Sequence, residues 1–251
     1  MTVHALEVAY RTHVGLVRQH NEDYLAVLDD LGILVLGDGM GGHQAGEIAS
    51  KIAVEAAARE LIPAQQADLA DDLESLLRVG QCVEVANASL FDAVAKEPAL
   101  KGMGTTLVAT LFRDGHVFYA HVGDSRLYRC REGTLRCLTR DHTLVQHLLD
   151  QGMFGSRQEI HEAGIGDNVL VRTLGADPGV EVDVGDSRLH PEDIYLLCSD
   201  GLTGAVSDDR IKEIVGSGDD DLEGMAELLM QEAFEGGARD NVSFVLARLD
   251  S

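Results

Sequence analysis

The sequence predicts an α+β fold, antiparallel sheets covered by helices. Three observations carry this. Short apolar runs recur in pairs across turn-forming residues, segments of helical period gather in two blocks, and strands and helices do not alternate as parallel βαβ winding requires. At 251 residues the chain lies within the size at which one core still grows as a unit, so a single domain spanning 1–251 is expected.

Leu25 to Leu28 and Ile33 to Leu36 flank Asp29-Asp30-Leu31-Gly32, the pattern of a hairpin. The stretch Gly37-Asp38-Gly39-Met40-Gly41-Gly42 reads as leaving the second strand. Ala45, Ile48, Ala49, Ile52 and Ala56 then recur at helical spacing, with Glu47/Lys51 and Glu55/Arg59 paired on the wet side. A second helix, from about Ala70 to Lys96, turns Leu73, Leu76, Leu77, Val83, Leu90, Phe91 and Val94 to one side and ends before Pro98. Thr105 to Phe112 and His116 to Val122 are strands joined by Arg113-Asp114-Gly115; Arg126 to Arg131 and Leu135 to Leu138 follow, joined by Glu132-Gly133-Thr134. Thr143 to Gln151 reads as a helix, while Gly152 to Asn168 is polar and without period, so 143–168 is a candidate flap over a site. Ile194 to Cys198 is a buried strand, helices lie near Asp208 to Val215 and Asp221 to Phe234, and Asn241 to Leu249 closes as a strand.

The 43 acidic residues outnumber the 20 basic ones for a net charge of -23, which repels nucleic-acid phosphates and anionic membranes. Cys82, Cys130, Cys137 and Cys198 form no CxxC pair and sit among apolar neighbours, as in a reducing compartment. No apolar run approaches the ~18 residues of a membrane span and the start has no signal pattern, so a cytoplasmic protein without membrane insertion is expected.

Asp38 and Asp200 each follow an apolar strand and precede glycine, and Asp240 precedes a third strand. An isolated Asp-Gly is more often a turn residue. Three carboxylates at strand ends instead form a rigid set of hard oxygen donors suited to Mg²⁺ or Mn²⁺, with the adjacent glycines letting backbone approach a cation.

The order of motifs resembles the bacterial type 2C metal-dependent serine/threonine protein phosphatases, from about Gly15 to Leu249. Arg18-Gln19-His20-Asn21-Glu22-Asp23 is similar to the family's opening motif and Gly37-Asp38-Gly39-Met40-Gly41-Gly42-His43 to its metal-binding turn. Gly104-Thr105-Thr106, Val122-Gly123-Asp124-Ser125-Arg126, Ser199-Asp200-Gly201-Leu202 and Arg239-Asp240-Asn241-Val242-Ser243 follow in family order. The resemblance implies an antiparallel β-sandwich flanked by helices on both sides. It implies that Asp38 bridges two Mn²⁺ or Mg²⁺ ions, that the Gly39 carbonyl binds one, and that Asp200 and Asp240 bind the other. Glu22 and Asp23 would act mainly through metal-bound waters, Asp124 with Asp200 would hold a weaker third ion, and Arg18 would grip the substrate phosphate. The activity implied is hydrolysis of phosphoserine and phosphothreonine by a metal-activated water. The partners implied are phosphorylated proteins and a cognate bacterial serine/threonine kinase, with the chain acting as a monomer.

Eukaryotic relatives carry His directly after the Asp-Gly, where this chain has Met40. His43 is the nearest candidate general acid; it equally suits a place at the start of the following helix, and a metal-bound water is the other possible acid. Gly-Asp-Ser-Arg occurs a second time at Gly185 to Arg188, in a polar stretch where Asp186 reads as a solvated turn residue. Cys130-Arg131-Glu132-Gly133-Thr134-Leu135-Arg136 matches the phosphate loop of cysteine-based tyrosine phosphatases. That chemistry needs a low-pKa thiolate facing a helix N-terminus, whereas the next segment here reads as strand. A catalytically silent phosphoprotein-binding scaffold is the third alternative, and the filled metal positions count against it.

Overall fold

The computed structural model describes residues 6–41, 44–67, 69, 71–167, 169–217 and 221–249. In chain order the elements begin with β1 (Leu6–His13), β2 (Asp23–Leu28), β3 (Ile33–Met40), α1 (Gln44–Gln66), α2 (Asp72–Lys96) and β4 (Gly104–Thr105). Next come β5 (Leu107–Arg113), β6 (His116–Val122), β7 (Arg126–Arg131), β8 (Thr134–Cys137), α3 (Leu144–Asp150) and α4 (Arg157–Glu162). The chain continues through β9 (Asp183–Arg188), β10 (Ile194–Cys198), α5 (Asp200–Ala205), α6 (Asp208–Val215), α7 (Leu222–Glu235) and β11 (Val242–Leu249).

The strands form two antiparallel sheets, ordered β1-β11-β10-β7-β8 and β2-β3-β5-β6-β9, with the short β4 pairing the end of β3 and bridging Leu174. Strand side chains alternate between faces, and here both faces are covered. On β10, Ile194, Leu196 and Cys198 pack toward α5, α6 and α7, while Tyr195 and Leu197 point into the layer between the sheets. On β3, Ile33 and Val35 meet α1 and α2, and Leu34 meets the opposite sheet. Three apolar layers result, two of them between a sheet and its helices and one between the sheets, where Leu34, Val108 and Phe112 face Leu127, Leu197 and Val245. The expected sandwich with helices on both sides is what the chain forms. Among the described residues no helix is long and apolar enough to cross a membrane.

Several local expectations change. Asp38 does not leave the strand: β3 runs on to Met40 because β4 pairs Thr105 with Gly39 and Gly104 with Met40. Asp200 is the first residue of α5 rather than a turn residue. Asp186 is exposed, as expected, but lies within β9 opposite Phe118, where ladder pairing overrides its poor strand propensity. The α2 helix begins at Asp72, because Asp71 caps it by accepting from the Glu74 amide at 2.9 Å. Helix α4 interrupts the stretch read as aperiodic, its Ser156 side chain capping the Glu159 amide. The strand β1, which sequence periodicity did not reveal, pairs along its whole length with β11.

Candidate metal centre

Strand ends from both sheets converge at one end of the sandwich. The start of β2 brings Asp23, the end of β3 Asp38 and Gly39, the β6–β7 turn Asp124, the end of β10 Asp200 and the start of β11 Asp240. A cavity of about 370 Å³ opens there, lined by Arg18, Glu22, Asp38, Gly39, Met40, Gly41, Thr106, Asp124, Leu170, Asp200, Asp240 and Asn241. Seven of the residues expected in the site thus share one cavity. Asp23 does not line it; it pairs with Asp38 across the β2–β3 ladder and is buried behind it. His43 lies outside the described residues.

Hydroxyl and amide groups fix the backbone at Asp38 and Glu22 and the carboxylate of Asp23. Thr106 Oγ1 accepts from the Asp38 amide at 3.0 Å and is hydrogen-bonded to Ser125 Oγ at 2.7 Å, where either hydroxyl can donate. The Asp38 carbonyl accepts from the Thr106 amide and from Thr105 Oγ1, both at 2.9 Å. Ser199 Oγ donates to Asp23 at 2.8 Å and accepts from the Ser243 amide at 3.1 Å, tying β10 to β11. Asn241 acts as a brace, its Oδ1 accepting from the Glu22 amide at 2.8 Å while its Nδ2 donates to the Val14 and His20 carbonyls at 2.9 Å. Gly39 and Gly46 are needed where α1 crosses β3: a Cβ on Gly39 would overlap the Gly46 carbonyl, and one on Gly46 would overlap the Glu22 carboxylate.

The electrostatics of this arrangement call for a cation. Four aspartates and a glutamate face the cavity, and among its described lining residues Arg18 is the one basic group. Burial, reinforced by Asp23, Asp200, Asp124 and Asp240, holds the Asp38 carboxyl well above the ordinary carboxylate range. Burial lifts Asp23 to about 7, and burial with the Asp200 charge lifts Asp124 to about 7. Burial, then Asp240, raises Asp200, and burial raises Glu22. Arg18 pairs with Asp240 at 2.6 Å at the rim and offsets only part of this charge. One Asp23 oxygen is buried without a hydrogen-bond partner. Hard carboxylate oxygens in excess, an orphaned buried oxygen and a cavity of this size fit two divalent cations such as Mn²⁺ or Mg²⁺.

Cys130 is not part of this chemistry. It is buried on β7 opposite Ile194 and Leu135, its side chain in the layer under the helices, and burial pushes its thiol up. Glu132 and Gly133, both with positive φ, form a tight β7–β8 turn rather than a loop leading into a helix. Sequence reasoning assigned no role to Thr106, Ser199 or Asn241, although each lay inside a quoted motif. Their adjacency to the aspartates was the available signal.

The protein phosphatase 2C family profile matches residues 12–232. The serine/threonine phosphatase stp of Listeria monocytogenes is 35% identical over 248 residues, covering 98% of this chain and 96% of that protein. The crystal structure of the Mycobacterium tuberculosis serine/threonine phosphatase PstP/Ppp superposes with a TM-score of 0.86 at 37% identity, covering 98% of this chain and 99% of that one. The PstP catalytic domain in complex with two manganese ions superposes with a TM-score of 0.83 at 36% identity over the same shares.

Proposed function

This chain belongs to the protein phosphatase 2C family, and we propose that Asp38, Gly39, Asp200 and Asp240 hold two Mn²⁺ or Mg²⁺ ions beside a phosphate gripped by Arg18. It is a metal-dependent serine/threonine protein phosphatase, and its substrates are phosphoproteins. The observation that carries the residue assignment is the convergence of Asp38, Asp124, Asp200 and Asp240 on one cavity with too little positive charge to balance them. Ions bound there supply a water acidified to near neutrality and offset the charge of the phosphoryl oxygens.

Within this reading Asp38, the Gly39 carbonyl, Asp200 and Asp240 would hold the two ions, and Asp124 with Asp200 would hold a weaker third. Glu22 and Asp23 orient the solvent around them, Asp23 from behind Asp38. Arg18, at the rim and anchored by Asp240, presents a planar fork that matches a phosphate dianion. His43, adjoining the start of α1, delivers a proton to the departing serine or threonine oxygen. The chain acts as a single catalytic domain and a monomer, with 143–168 as its flap, and reverses a bacterial serine/threonine kinase. A cytoplasmic setting agrees with the four free cysteines.

Anomalous diffraction from crystals grown with Mn²⁺ tests the assignment. Two strong peaks bridged by Asp38 are expected; peaks remote from Asp38 and Asp240 would overturn it.

A further inference from the structure

His142 sits at the neck of the flap and touches the segment that carries Asp124. At the neck, Thr143 and Leu170 form an isolated antiparallel bridge, the Leu144 amide donates to the Val169 carbonyl at 2.7 Å, and the Val171 amide donates to the His142 carbonyl at 2.9 Å. His142 also makes two bonds to Gly123. Its backbone amide donates to the Gly123 carbonyl at 2.9 Å, and its ring Nδ1 accepts from the Gly123 amide at 3.1 Å. Gly123 has φ +106°, a conformation that suits glycine, and a Cβ there would overlap Thr106. The next residue is Asp124, so the backbone that aims this carboxylate is clamped at both polar groups of Gly123 by one residue.

The clamp requires one ring tautomer. With Nδ1 accepting, a neutral imidazole carries its proton on Nε2, which faces an Asp183 oxygen at 3.4 Å. The other Asp183 oxygen takes Arg172 Nη1 at 2.8 Å. Burial, with His121 and Arg172 beside it, holds His142 down to about 4, which keeps the ring neutral. His121, His142 and Asp183 also have ligand atoms within 4.8 Å of one another, and His121 Nδ1 is buried without a partner. A cation is nevertheless already present there: Arg172 Nη1 lies 3.1 Å from His142 Nε2 but, with Nε2 protonated, spends its two hydrogens on the Asp183 carboxylate at 2.8 Å and the Glu181 carbonyl at 3.3 Å. A metal on Nε2 would move the ring proton to Nδ1 and break the bond to Gly123. The cluster is built to orient the imidazole.

We infer that His142 is a positioning residue for Asp124: by fixing Gly123 at its amide and its carbonyl, it sets the direction of the Asp124 carboxylate and so the affinity of the third ion. The inference rests on the reading of Asp124 as a ligand of that ion.

Calorimetric titration of the full chain with Mn²⁺ tests it, comparing the native protein with H142A, H142N, D183N and D124A. H142A weakens the third site about 10- to 100-fold, the range typical of lost outer-shell support, while the two tighter sites keep their affinity and report an intact fold. H142N restores most of the loss, because its amide oxygen takes the place of Nδ1. D183N, a milder change at a half-exposed residue, weakens the third site by a smaller factor and serves as the deciding variant if H142A fails to fold. Adding H142A to D124A changes nothing more, as expected of residues acting through one group. A third site of native affinity in folded H142A, or in D183N should H142A not fold, overturns the positioning role while D124A still abolishes the site. A third site that survives D124A overturns the ligand assignment, and the role of His142 falls with it.

Discussion

Asp23 and Asp124 each hold a proton to about pH 7, whereas the same carboxyls in the unfolded chain release it near pH 4. Between these values the folded state binds more protons than the unfolded one, so the slope of stability with pH is negative and ion-free stability falls as pH rises. Melting temperature in EDTA is therefore expected to fall between about pH 4 and about pH 7, a window set by these two shifts, and Asp124→Asn should lessen the fall. An identical slope in the variant would remove Asp124 from this account. The proton donor is testable by leaving group. A serine alkoxide needs protonation as it departs, whereas an aryl phosphate leaves well without it. His43→Ala should thus depress turnover of a phosphoserine peptide by about 100-fold and largely spare a nitrophenyl phosphate; equal losses on both substrates would assign His43 a structural role.

At the scale of elements, helix α2 lies on the far side of its sheet from the second sheet, and its start is capped by the Asp71 side chain, which accepts from the Glu74 amide. Asp71→Ala is expected to cost about 1 kcal/mol in urea denaturation with kcat unchanged; a loss of kcat would mean that α2 supports the metal centre directly. The largely buried strands and the amphipathic α6 were legible in the sequence: β6, β7, β10 and α6 run between the residues the apolar pattern names. The strand β1 was not, because only Leu6 and Ala9 of its eight residues are buried, which leaves no continuous apolar run. Helix α5 was hidden because six residues containing Gly201 and Gly204 have too little length for a helical period, and Asp200-Gly201 looks like a turn. The extension of β3 through Asp38 depends on β4, a two-residue strand that no periodicity predicts. The site followed the same division. Aspartates beside strands could be picked out locally, whereas Asn241 reaches Glu22 across 219 residues and His142 reaches Gly123 across 19. Such contacts exist only once the two sheets have met.

For the whole molecule, the charge of -23 works against an incoming phosphopeptide, while two divalent ions give the pocket a local field of the opposite sign. Raising ionic strength from about 0.01 M to about 0.15 M shortens the screening length from about 30 Å to about 8 Å, which removes the distant repulsion more than the contact attraction. The kcat/KM for an acidic phosphopeptide should rise over that range and that for a lysine-rich one should fall; the opposite ranking would show that the acidic exterior has no part in substrate choice. The central claim is that carboxylate-held ions, and no cysteine, carry the reaction. Phosphate release from a phosphothreonine peptide, followed in Mn²⁺ and then in excess EDTA for the native chain, Asp240→Ala and Cys130→Ser, tests it most directly. The native chain and Cys130→Ser should turn over in Mn²⁺ and stop in EDTA, with Asp240→Ala inactive in both. Undiminished release in EDTA, or activity lost with Cys130 and kept without Asp240, would contradict it.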